Sequence, residues 1–155
     1  MNELPKIYLG PMTVNVVDAA IDCNTNDGKN FGFIPSRRQV ENTGGYVNNW
    51  TTKDFAKYVK SRSSKTIIKR DHGGPGQGNI DDNGLNSIKS DLENFDFIHI
   101  DPWKKYHDFK SGINQTIEII EFCSSFNKEI KFEVGTEEAI KKFEIDDIRD
   151  LLNQL

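Results

Sequence analysis

Apolar positions along the chain follow two alternating rhythms: short runs bounded by turn residues, and longer stretches in which apolar side chains recur at helical spacing. Lys6 to Leu9 reads as a brief strand closed by Gly10-Pro11. Thr13 to Cys23 then reads as a helix with Val14, Val17 and Ile21 on one stripe. After turn chemistry from Asn24 to Asn30, Phe31 to Ser36 forms a second strand that runs into Arg37-Arg38-Gln39-Val40-Glu41 and a Gly44-Gly45 loop. Thr51 or Thr52 caps a helix whose Phe55, Tyr58 and Val59 make one apolar stripe. Thr66 to Arg70 is the third strand, and Leu85, Ile88 and Leu92 mark the next helix. Phe95 to Ile100 is the fourth strand, ending at Asp101-Pro102-Trp103, and Ile113, Ile117 and Ile120 carry a helix to about Phe126. Ile130 to Val134 is the fifth, stopped by Gly135. From Glu137 to Leu155 a short helix precedes a second one in which Ile145, Ile148, Leu152 and Leu155 are apolar.

A strand recurring about every 25–35 residues, each followed by a helix, is the period of βα units feeding a parallel sheet, so the fold class is α/β. Two architectures fit: the first five βα units of a (β/α)8 TIM barrel, and an open parallel sheet. In both, ligands bind at the C-terminal ends of the strands, where this chain places Ser36-Arg37-Arg38, Lys69-Arg70-Asp71-His72, His99-Ile100-Asp101 and Glu133-Val134-Gly135. Strand alternation puts Lys69 with Asp71, His99 with Asp101, and Lys131 with Glu133 on common faces. An open sheet covered by helices on both sides has no place for such a charged layer. The barrel interior does, so residues 1–155 are read as a single partial TIM-barrel domain.

Composition narrows the function classes. The chain has 155 residues, 35% hydrophobic and 28% charged, enough for a real core. Its net charge of −4 is spread along the sequence, which argues against nucleic-acid and electrostatic membrane partners. No apolar run approaches the ~20 residues of a membrane span and the N-terminus has no signal-peptide core, so a cytoplasmic address is expected. Cys23 and Cys123 match neither a metal site nor a disulfide framework and read as small buried or half-buried thiols.

The chemistry concentrates in Ile67-Ile68-Lys69-Arg70-Asp71-His72-Gly73-Gly74-Pro75, an apolar run that ends in two cations, a carboxylate and an imidazole and then breaks on glycines. Such a cluster belongs where a strand meets a cleft rather than in a dry core. Asp71 before glycine also fits a turn cap, and Arg37-Arg38 also fits a solvated pair. Glu133, between Phe132 and Val134, needs a partner: Lys69, Lys131 or a metal. A desolvated Lys69 or Lys131 would also suit Schiff-base chemistry, although no accompanying motif supports it.

The residues Gln39-Val40, Gly44-Gly45-Tyr46, Thr52-x-Asp54-Phe55, Ile67-Ile68-x-x-Asp71-His72-x-Gly74-Pro75, Ile98-His99-x-Asp101 and Val134-Gly135-Thr136-Glu137 resemble, in order and spacing, the tagatose-bisphosphate aldolase subunit family. The stretch is closer to its non-catalytic-subunit branch and is similar, more distantly, to class II zinc-dependent ketose-bisphosphate aldolases. The resemblance implies a TIM barrel acting on phosphorylated sugars, with His72 a zinc ligand, Asp71 the acid/base, and Asp101 and Glu133 carboxylates lining the metal site. Arg37, Arg38 and Arg70 are expected to meet phosphate oxygens on grounds of charge and position, with Lys69 and His99 beside them as substrate contacts. The related aldolases take two further ligand histidines from strands six and seven. This stretch is therefore expected either to be part of a longer protein or to complete itself with a second copy or a related aldolase chain, or else to be a non-catalytic subunit or remnant that stabilises a partner aldolase. A weaker option is an open-sheet module that binds a phosphorylated ligand without chemistry.

Overall fold

The computed structural model describes residues 4–136 and 144–155; the first part of the expected Glu137–Leu155 helical tail lies outside them. β1 (Ile7–Leu9) leads to α1 (Val14–Asn26), which starts where the Thr13 hydroxyl accepts the Val16 N–H at 3.3 Å. β2 (Phe31–Phe33) is shorter than the expected Phe31–Ser36, because Pro35 offers no N–H and residues 36–39 turn. α2 (Thr52–Arg62) is capped by Thr51, and α3 (Leu85–Asn94) follows a long glycine-bearing loop. β3 (Phe97–Ile100) begins two residues later than expected, since Phe95 caps α3. α4 (Phe109–Phe126), β4 (Lys131–Val134) and α5 (Ile145–Gln154) complete the order.

β1 pairs with β2 and β3 with β4, both parallel. Residues 67–73 join the two short sheets through isolated parallel bridges, Phe33 with Ile68 on one side and Lys69 with Phe97 and Gly73 with Ile100 on the other. The Lys69 N–H donates to Phe33 O at 2.8 Å and the Arg70 N–H to Phe97 O at 2.9 Å. The expected third strand thus lies where the pattern put it, bonded on both edges, but as single bridges rather than a regular strand. The architecture is α/β, with each parallel segment beside its predecessor in the chain.

The helices gather on one face. Phe33 and Ile68 pack against Val17 and Ile21 of α1 and Phe55 and Val59 of α2, with Phe33 and Phe55 edge to face at 5.7 Å. Ile98 and Ile100 meet Ile88 of α3 and Ile119 and Cys123 of α4. Burial pushes the Cys123 thiol up to about 12, so it acts as a small apolar side chain, as expected. In α5 only Leu151 is buried, against Trp103 and Ile113; Ile145 and Leu152 face solvent, so that helix presents little of its apolar stripe to the described core. The opposite sheet face carries Tyr8, Gly32, Lys69, Phe97 and Glu133. The Lys69 ammonium sits 4.7 Å from the Tyr8 ring centre and pairs with Glu133. None of these five residues belongs to the described apolar cores. No helix among the described residues is long and apolar enough to cross a membrane.

Candidate functional site

Two glycines make the site. Gly73 lies between its neighbours so closely that a Cβ would come 2.4 Å from His99 O, and Gly74 takes a φ of +138°. The chain therefore crosses tightly over the C-terminal end of β3, with the Gly73 N–H on His99 O and the Asp101 N–H on Gly73 O, both at 2.8 Å. His72, immediately before, is held at φ +46°, a left-handed conformation that costs a bulky residue energy and is found disproportionately at functional sites. That conformation sends its backbone N–H to His99 Nδ1 at 3.1 Å and its ring towards Asp71 and Asp101.

Asp71, His72 and His99 offer ligand atoms that all lie within 4.8 Å of one another. Asp71 Oδ1 is 3.8 Å from His72 Nε2 and 3.7 Å from His99 Nδ1, and the two rings are 5.4 Å apart. Burial alone would raise the Asp71 carboxyl. The adjacent His99 ring and the charges of His72 and Arg70 outweigh that, so it lies below its ordinary value and is ionised near neutral pH.

Behind His72, Asp101 is 2% exposed and uses both oxygens. Oδ2 lies 2.6 Å from His72 Nδ1 and accepts Gln77 Nε2 at 2.9 Å, while Oδ1 accepts the Trp103 N–H at 3.2 Å. A carboxylate on Nδ1 makes that nitrogen the N–H donor and puts the ring's lone pair on Nε2, 3.8 Å from Asp71 Oδ1, an orientation common among metal-binding histidines. Trp103 Nε1 in turn donates to Gly135 O at 2.5 Å, tying the end of β4 to the same cluster. One carboxylate and two imidazoles are donor types that suit zinc, and ligation through His99 Nδ1 would displace the His72 N–H that this nitrogen accepts at 3.1 Å.

Several expected site residues lie elsewhere. Asp101 supports His72 from behind and does not face the cluster as a direct ligand. Glu133 is 47% exposed and bound to Lys69, outside the cluster, so the expected metal role is replaced by an ion pair on the open sheet face. Lys69 is accordingly a partner of Glu133. Arg70 is fully buried. Its guanidinium bonds Asp91 through Nε at 2.8 Å and Nη2 at 2.5 Å, and also Pro35 O and Val40 O, so it holds the fold and cannot reach a phosphate. Arg37, 3% exposed, is committed to Glu41, Gly74 O and Asp82 and pins the glycine loop. His99, expected among substrate contacts, is instead the third member of the donor cluster.

Arg38 alone of the three arginines points outward, because the turn at 36–39 sends adjacent side chains opposite ways. Ser36, Arg38, Asp71, His72, Gln77 and Lys104 line an open pocket of about 370 Å³. A larger cavity, about 460 Å³, lies at the far end of the strands between the C-termini of α1 and α2. Its Lys29, Arg62 and Lys65 lie near those helix C-termini, and Arg62 is bonded to Asp18 and the Tyr58 hydroxyl. Gln77, Lys104 and Asp91 were not anticipated. Only Asp91 carried a signal, a carboxylate on the apolar stripe of α3 beside Ile88 and Leu92.

No protein-family model matches the chain, and no curated protein matches it in sequence. The resemblance to the tagatose-bisphosphate aldolase subunit family therefore rests on the motifs quoted above. In structure the chain is similar to a probable tagatose 6 phosphate kinase from Sinorhizobium meliloti 1021, with a TM-score of 0.69 and 17% identity over 97% of this chain and 44% of that one. At that identity the likeness is one of fold, and this chain spans less than half the length of that protein.

Proposed function

We propose that the chain forms the first βα units of a (β/α)8 barrel that acts in sugar-phosphate metabolism, with aldolase-type, zinc-assisted cleavage of a ketose bisphosphate at Asp71, His72 and His99. The observation that carries this reading is the convergence of those three groups at the C-terminal ends of adjacent parallel segments, where barrel enzymes place their chemistry. The barrel is supported by the sequential parallel order and by a core that sits on one face only, since an open doubly wound sheet is covered on both. The name of the structural neighbour adds the sugar-phosphate context.

Zinc at this cluster would supply Lewis acidity to a ketose carbonyl oxygen. Asp101 holds the His72 ring through Nδ1, and Gln77 holds Asp101. With zinc on His72 and His99, Asp71, kept ionised by its neighbours, would stay uncoordinated and be suited to take the proton from the hydroxyl next to the scissile bond. A second reading, a non-catalytic subunit that stabilises a partner aldolase, is favoured by the open sheet face bearing Tyr8, Lys69, Phe97 and Glu133, where a partner chain or a second copy would pack.

The test is the zinc content per chain of the purified protein and of His72→Ala and His99→Ala, followed by an assay for triose-phosphate release from a ketose bisphosphate. About one zinc per chain, lost in both variants, with cleavage that tracks the metal, is expected. Zinc absent from the unaltered protein removes the metal reading. Zinc bound without cleavage, in a chain that co-purifies with an active aldolase, supports the subunit reading.

A further inference from the structure

Of the cations near the site, most are spoken for. Arg37 and Arg70 are saturated by protein acceptors, Lys69 is paired with Glu133, and Lys105 bonds Asp81 at 2.7 Å. Two are not: among the described residues the side chains of Arg38 and Lys104 make no ion pair or hydrogen bond, and both line the pocket that exposes Asp71 and His72. They come from different loops, Arg38 from the turn after β2 and Lys104 from the turn after β3. The fold, rather than a run of basic sequence, therefore brings both residues to the pocket wall. Ser36 adds a hydroxyl to the same wall. Lys104 also borders a second hollow of about 380 Å³, whose lining includes Gly76, Gly78, Asn79, His107 and the paired Asp81 and Lys105.

We propose that Arg38 and Lys104 hold the phosphate of a phosphomonoester whose hydroxylated end reaches Asp71 and His72. The pocket has two cations unpaired among the described residues, Arg38 and Lys104, beside Asp71 and His72, which favours a ligand with negative charge concentrated at one end and neutral hydroxyls at the other. A planar guanidinium and a mobile ammonium together suit a tetrahedral oxyanion, the first by a two-point contact and the second as a point charge. The assignment rests on the function proposed above only for the choice of a sugar phosphate as probe, because its residues are separate from the three donors of the metal-type cluster.

Calorimetric titration with tagatose 6-phosphate, tagatose and inorganic phosphate tests it. The proteins are the unaltered chain, Arg38→Gln, Lys104→Gln, the double variant, the conservative Arg38→Lys and Lys104→Arg, and Lys29→Gln as an equal charge change in the far cavity. The ester should bind at least tenfold more tightly than tagatose. Each Gln variant should weaken the ester roughly tenfold or more, the loss of one charge-assisted contact, while leaving tagatose and the circular dichroism spectrum unchanged. The conservative variants should retain most of the affinity, and Lys29→Gln all of it. An ester that binds no better than tagatose, or equally well to the double variant, overturns the subsite. Inorganic phosphate binding as tightly as the ester overturns the phosphomonoester assignment in favour of a free-anion site. Zinc content measured on the same samples separates the two proposals. Zinc retained by a double variant that still binds the ester sinks the subsite alone, and zinc absent from a chain that discriminates the ester sinks the metal reading alone.

Discussion

The buried pair of Arg70 and Asp91 offers the sharpest test of how the site is held. Both side chains are fully buried, and Arg70 reaches five acceptors: both Asp91 oxygens, Pro35 O at 3.0 Å, Val40 O at 2.8 Å and Thr52 Oγ1 at 3.3 Å. One guanidinium thus ties residue 70 to the loop after β2, the start of α2 and the middle of α3. Burial raises the Asp91 carboxyl more than Arg70 lowers it, so the pair as a whole adds little net stability compared with an apolar contact. Breaking it is another matter, because Arg70 cannot shed its charge. Asp91→Ala should cost about 3–5 kcal/mol, a large share of the ~5–15 kcal/mol by which a domain is stable. For a chain of this length that is a fall in melting temperature of roughly 6–20 °C, read by circular dichroism. In a cycle with Arg70→Met, the double variant should be more stable than the sum of the singles predicts, with a coupling of at least ~2 kcal/mol. A loss below ~1 kcal/mol for Asp91→Ala, or additivity within ~0.5 kcal/mol, would refute the reasoning. Because Arg70 precedes Asp71, both single variants should also lower zinc content if the metal binds as proposed.

Two further outcomes are expected. Gly112→Ala should disturb the Trp103–Gly135 clamp, since a Cβ there would fall 1.9 Å from the Trp103 ring; the check is a change in tryptophan fluorescence with the far-ultraviolet spectrum kept, and an unchanged emission would contradict the packing described. The glycine loop should loosen in acid. Asp82 is held below its ordinary value, chiefly by its hydrogen bond from Arg37, so its contribution is present above the ordinary carboxylate range and is lost as pH falls through the depressed folded value. Amide exchange across residues 74–84 should therefore accelerate at low pH relative to the rest of the chain, after correction for intrinsic rates, and Arg37→Gln should abolish that pH dependence.

The order of elements was legible because periodicity is a local property. The stripes of Val17 and Ile21, Phe55 and Val59, and Ile88 and Leu92 follow from 3.6-residue spacing, and Thr13 and Thr51 announce their helices by side-chain chemistry alone. Asp71 and His72 stood out for the same reason: polar groups ending an apolar run before glycines. Charge identity, by contrast, said nothing about direction. Arg37, Arg38 and Arg70 are equivalent as letters, yet two are consumed by Asp82, Glu41 and Asp91 from distant parts of the chain and one faces the pocket. Glu133 looked buried between apolar neighbours, but strand alternation turned it to the open face and Lys69. His99 joined Asp71 and His72 only because the Gly73 backbone packs directly on β3, and Lys104 reached the same pocket only because two loops end side by side. Sequence alone determined which residue types would line the strand ends. Tertiary structure decided which of them were neutralised and which were left facing the pocket, since that depends on partners dozens of residues away.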